Sequence, residues 1–85
     1  MKRPQKIESQ EKLDALIKKS KKDQPLECFI LLRFGLRSSK FISLNENGDY
    51  YIYHECADTE EIVNHSALMD TFIGKAIQGG AFYKY

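Results

Sequence analysis

Eighty-five residues, 42% of them hydrophobic and 12% aromatic, are enough for one packed core and exclude wholesale disorder. No apolar run approaches the roughly 18 residues that a bilayer crossing needs, and two cysteines are too few for a disulfide scaffold. The net charge of +1 divides unevenly: residues 1–24 carry eight Lys/Arg against four Asp/Glu, and residues 25–85 carry five against eight, so charge favours a polyanion only in the first segment.

The chain opens with Met1-Lys2-Arg3-Pro4-Gln5-Lys6 and runs into Ile7-Glu8-Ser9, which is not an apolar signal core. A cytoplasmic location with reduced thiols is therefore expected. Residues 1–7 read as a mobile lead-in to a single small α+β domain spanning 1–85, since Pro4 and its charged neighbours offer nothing to pack. Ser9 suits an N-cap and Glu11 suits the first turn of a helix. Leu13, Leu16 and Ile17 then form its apolar stripe, and Pro25 ends it.

The stretch from Leu26 to His54 reads as a three-stranded antiparallel meander. In the first strand, about residues 26–34, Cys28, Ile30, Leu32 and Phe34 point one way and Phe29, Leu31 and Arg33 the other. A strand apolar on both faces belongs at the centre of a sheet. Arg37-Ser38-Ser39-Lys40 reads as a basic turn, followed by a strand at about 40–44 in which Phe41 and Ser43 oppose Ile42 and Leu44. Asn47-Gly48 marks the next hairpin. In the strand after it, about 50–56, Tyr50 and Ile52 alternate with Tyr51 and Tyr53.

Asp58-Thr59-Glu60-Glu61 has the form of a capping box. Leu68, Phe72 and Ala76, with Met69, Ile73 and Ile77, make a helical stripe over 66–78; residues 59–78 form one helix or two, or Ser66 caps afresh and leaves 59–64 as a separate turn or short extended piece. Gly79-Gly80 closes it, and Ala81-Phe82-Tyr83-Lys84-Tyr85 reads as a last strand added at a sheet edge. The fold class is thus α+β, a two-layer sandwich of order α-β-β-β-α-β with a mainly antiparallel sheet of three to four strands.

The order helix, three antiparallel strands, helix resembles that of the double-stranded RNA-binding domain. Such domains place lysines where this chain has Asp58-Thr59-Glu60-Glu61, and a Gly-Pro-x-His-type signature where it has Arg37-Ser38-Ser39-Lys40. Docked on RNA, the second helix would set carboxylates against phosphates. The chain is not assigned to that family.

Chemistry-bearing residues are sparse. Cys28, His54, Cys56 and His65 would suit zinc by type, but their spacing matches no zinc pattern and no CxxC pair anchors them. An activated thiol needs a cationic, partly exposed setting, whereas Cys28 lies in the most apolar run and Cys56 beside Glu55 and Asp58. No catalytic residue, metal or other cofactor is therefore expected. The expected role is a small non-catalytic interaction or regulatory domain that binds another protein, or a second copy of itself, through a sheet face or the C-terminal edge strand. Its contact residues would be Phe29, Leu31, Tyr51, Tyr53, Tyr83 and Tyr85. The alternative is nucleic-acid binding through strand aromatics with Lys18, Lys19, Lys21, Lys22, Arg37 and Lys40. No membrane partner is expected.

Overall fold

A computed structural model describes residues 3–21 and 23–85. The chain order is β1 (Gln5–Lys6), α1 (Gln10–Lys18), β2 (Leu26–Leu31), β3 (Arg37–Leu44), β4 (Tyr50–His54), β5 (Thr59–Val63), α2 (Phe72–Gly79) and β6 (Phe82–Lys84), with a 3-10 turn at Arg33–Gly35 and another at His65–Asp70. The six strands form one sheet, order β1-β6-β2-β3-β4-β5, in which every neighbouring pair is antiparallel.

Local chemistry explains most boundaries. Ser9 Oγ accepts from the Lys12 N–H at 3.2 Å and starts α1. Asn45 Oδ1 accepts from the N–H groups of Asn47 (3.0 Å) and Asp49 (2.9 Å), folding the loop that Gly48 closes at φ 81°. Asn64 caps the second 3-10 turn through the Ala67 N–H, and Thr71 caps α2 through the Gly74 N–H. Gly80, left-handed at φ 74°, terminates α2.

The sequence expectation holds for an α+β sheet-and-helix chain but not for the element order or strand count. Two strands are added to the expected four. Gln5–Lys6 pairs with Lys84 and Tyr83, and Ile7 is wholly buried, so the expected lead-in contains a strand and a core residue. Thr59–Val63 is not the helix start that the capping box suggests; it takes the extended alternative and pairs along β4 as a full strand, entered through Asp58 at φ 51°. The C-terminal strand is not an edge: β6 lies between β1 and β2, and the edges are β1 and β5. The run from Arg37 to Lys40 is strand, and the turn before it occupies Leu32–Leu36. Residues 66–78 divide at Thr71 into a 3-10 turn and α2.

The main core cluster lies on one side of the sheet. Leu26, Cys28 and Ile30 of β2, Ile42 of β3, Tyr50 and Ile52 of β4 and Phe82 of β6 meet Leu13 and Ile17 of α1, Leu68 of the 3-10 turn and Ile73, Ala76 and Ile77 of α2. At the sheet end near α1, Tyr50 OH donates to Asp14 and the Tyr50 ring stacks on His65 at 5.0 Å. His65 also meets Asp14 through Nε2 (3.0 Å) and Gln10 through Nδ1 (3.0 Å), and the Gln10 amide donates to the His65 carbonyl at 2.9 Å. These bonds tie α1 and the 3-10 turn to β4.

Gly74 allows α2 to pack on that turn, because a Cβ there would fall 2.2 Å from the Leu68 carbonyl oxygen and 2.3 Å from Met69 Cα. Both obstacles are backbone, so no side-chain rotation relieves them. Gly74→Ala is expected to cost about 2–3 kcal/mol despite its better helix propensity, lowering Tm by roughly 10–20 °C in a thermal melt.

Candidate functional site

The face of the sheet opposite the helices is uncovered, and strand parity decides what it displays. Glu27, Phe29 and Leu31 of β2 alternate with the core residues of that strand, and register places Arg37, Ser39 and Phe41 of β3 across from them. Tyr83 of β6 pairs with Phe29, Tyr53 of β4 pairs with Phe41, and Tyr51 pairs with Ile62 of β5.

The six expected contact residues, Phe29, Leu31, Tyr51, Tyr53, Tyr83 and Tyr85, are thereby brought to one face. Phe29 is its anchor, although no helix covers it. Its ring stacks on Tyr83 (5.2 Å, 15°) and lies against Tyr85 (4.7 Å), and the Arg37 guanidinium sits 4.5 Å above it. Those neighbours bury Phe29 to 3% exposure. Ser39 Oγ and Tyr85 OH share a hydrogen bond of 3.2 Å, fixing the last residue to β3. A second aromatic pair, Phe41 and Tyr53, lies one strand further across at 6.1 Å.

Two residues of the face were absent from the expected set. Phe41 lies opposite Ile42 as its alternation predicts, and it joins the contact face through Tyr53. Ile62, 62% exposed, lies just beyond the capping-box residues 58–61, whose helix-start chemistry masks its strand. Its signal was the pair Ile62-Val63, one residue for each face of an edge strand.

The polar groups of the face are mostly engaged. Tyr53 OH donates to Asp58 at 2.7 Å, and Tyr51 bonds Glu60. Those carboxylate partners are the first cause holding both phenols above their ordinary range, so both remain donors.

The residues expected to hold a polyanion do not assemble. Lys18 and Lys19 end α1, and Lys21 lies in the following turn. Lys22 is outside the described residues. Lys40 points to the core side of the sheet, only 4% exposed, and donates to Ser38 Oγ. Of that set only Arg37 reaches the aromatic face, which it shares with Glu27 and Glu60.

Cys28 and Cys56 are free thiols. Cys28 lies in the core, its Sγ 3.5 Å from the Lys40 carbonyl, and burial drives its pKa far up. Cys56 is exposed, and His54 instead meets Glu61 at 3.0 Å. Among the described residues no group of three or more His, Cys, Asp or Glu side chains is placed to hold a metal ion. No described helix is long and apolar enough to cross a membrane. Comparison with protein-family models, with curated proteins and with solved structures finds no match.

The buried titratable groups make stability pH-dependent. Cys28 and Tyr50 both have raised pKa values, by burial first and, for Tyr50, also by its bond to Asp14. Their protons are kept in the fold and lost by the unfolded chain, so this stabilisation is full below the ordinary thiol value of 9.0 and declines above it. Lys40 acts oppositely: burial lowers its pKa, so its contribution improves as pH rises toward its ordinary value of 10.5. In urea melts between pH 8 and about 10.5, Cys28→Ala should remove about 1–2 kcal/mol of the wild-type alkaline loss.

Proposed function

We propose that this chain is a small non-catalytic interaction domain that docks a protein, in the first instance a second copy of itself, on its open sheet face. The observation that carries the reading is the one-sided sheet. Eight large side chains, namely Phe29, Leu31, Phe41, Tyr51, Tyr53, Ile62, Tyr83 and Tyr85, lie opposite the helices. Large contiguous apolar patches on soluble proteins mark interaction surfaces, and tyrosine-rich, well-packed centres are what strong interfaces use.

Charge supports a protein over a polyanion. Glu27 and Glu60 share the face with Arg37 but lie at its other end, in the rank of Phe41 and Tyr53, and the lysines expected to complete a phosphate-binding surface lie elsewhere or are buried. Two faces related by a two-fold axis could pair Arg37 of one copy with an acid of the other, and the packing of two twisted sheets face to face is a familiar solution. The reading places association on the face, since the C-terminal strand has no free edge.

Sedimentation equilibrium from about 1 μM to 1 mM tests the idea, a range that brackets weak to moderate dimers. The wild type should dimerise, and Phe41→Asp with Ile62→Asp should abolish the dimer while the monomer stays folded by circular dichroism. A wild type that stays monomeric throughout would remove self-association and leave the face for a different protein.

A further inference from the structure

We propose that the β2–β3 hairpin tip is a shallow insertion loop for an anionic lipid surface. The Leu32 N–H donates to the Leu36 carbonyl at 2.6 Å and closes a short loop around the first 3-10 turn. Within it Phe34 takes φ 67° and Gly35 φ 79°. The left-handed region is natural for the glycine and unusual for a phenylalanine. The Phe34 side chain is 98% exposed, so it contributes nothing to the core for that conformation.

Its neighbours continue the pattern. Leu36 is 64% exposed, Leu31 and Leu32 are exposed, and Phe72 at the start of α2 is 56% exposed. An open hollow of about 340 Å³ separates the loop from α2, its walls including Leu32, Phe72, Ala76 and Gly79 together with Arg33 and Lys75. The apolar residues of the tip are therefore accompanied by cations: Arg33 in the loop, Lys75 on α2 and Arg37 at the first pair of the hairpin.

Charge selects the occupant. There is no Asp or Glu from Cys28 to Asn45, and none lines the hollow. The acids at this end of the sheet, Glu55 and Asp58, belong to the β4–β5 turn on the far side of β3, and Asp58 holds Tyr53. A second copy placed tip to tip would bring Arg33, Arg37 and Lys75 against themselves. An anionic bilayer suits both halves: Leu32, Phe34 and Leu36 enter the acyl boundary while guanidinium and ammonium groups meet the headgroups. The absence of a spanning segment does not bear on this, because interfacial insertion needs a protruding apolar loop and not a transmembrane helix.

Co-sedimentation of the full chain with phosphatidylcholine vesicles, with or without about 40% phosphatidylserine, tests it at about 50 and 500 mM salt. The wild type should bind the serine-containing vesicles roughly tenfold more tightly at low salt and lose that preference at high salt. Phe34→Ser and Leu36→Ser should each weaken binding about fivefold or more, while Ile62→Ser on the sheet face should not. Thermal melts check that the variants fold, and both tip residues are exposed enough to be replaced. Three results would overturn the proposal: no binding at low salt, equal binding to both vesicles, or salt-sensitive binding that survives both tip substitutions. The last would mean a purely electrostatic contact, as with an acidic protein.

Discussion

The insertion of β6 between β1 and β2 is the constraint on which the other features depend. Its three residues pair with Cys28–Ile30 on one side, and two of them pair with β1 on the other, so the two ends of the chain close the sheet together. Phe82 is wholly buried, and its carbonyl receives the Ile7 N–H at 2.8 Å. Once Phe82 points to the core, Tyr83 must point to the open face, and it lands beside Phe29. A one-residue slip would exchange them, placing Tyr83 in the core and exposing Phe82. The same register that completes the core also assembles the aromatic face.

The one-sidedness of the molecule follows from how little helix it has. Six strands at about 4.8 Å spacing span roughly 24 Å between the outer pair, while two short helices side by side cover about 20 Å. Both helices are committed to the same side, α1 by Leu13, Ile17 and the Tyr50–Asp14–His65 bonds, and α2 by Ile73, Ile77 and its close approach at Gly74. Among the described residues no helix is left for the opposite face. Its aromatics cover one another instead, which is how Phe29 becomes buried by Tyr83, Tyr85 and Arg37 without a second layer.

Residue parity made the central strands readable. Cys28 and Ile30 against Phe29 and Leu31, and Tyr50 and Ile52 against Tyr51 and Tyr53, alternate as the structure places them, because each strand is long enough for a period of two to register. The failures have separate physical causes. Asp58-Thr59-Glu60-Glu61 satisfies the chemistry of a helix start, but Asp58 turns left-handed and pairing with β4 overrides local preference. The two-residue β1 has no periodicity of its own and exists because β6 offers it an edge. The alternation of β2, continued past Leu31, points Leu32 and Phe34 to the core, but the strand ends at Leu31. The exposed tip was therefore invisible in a pattern that made both residues core.

The two edges of the sheet bear on the proposed self-association and favour the face over an edge. At one edge β1 is only two residues long, too short to template a partner strand. At the other, β5 has the length, but its middle residue is Glu61 and its neighbour is Glu60, both exposed. Two copies pairing β5 antiparallel with all five residues aligned would set Glu61 directly against Glu61, a like-charge pair that destabilises a ladder. Charges on an edge strand are a recurring defence against unwanted strand addition. The open face carries no such row of like charges at its centre, where Phe29, Phe41 and Tyr53 stand, with Arg37 at one end and Glu27 and Glu60 at the other. With both edges poorly suited to self-pairing, the aromatic face is the sheet surface that the proposed second copy would use, and it meets the cationic hairpin tip at the Leu31–Arg37 pair.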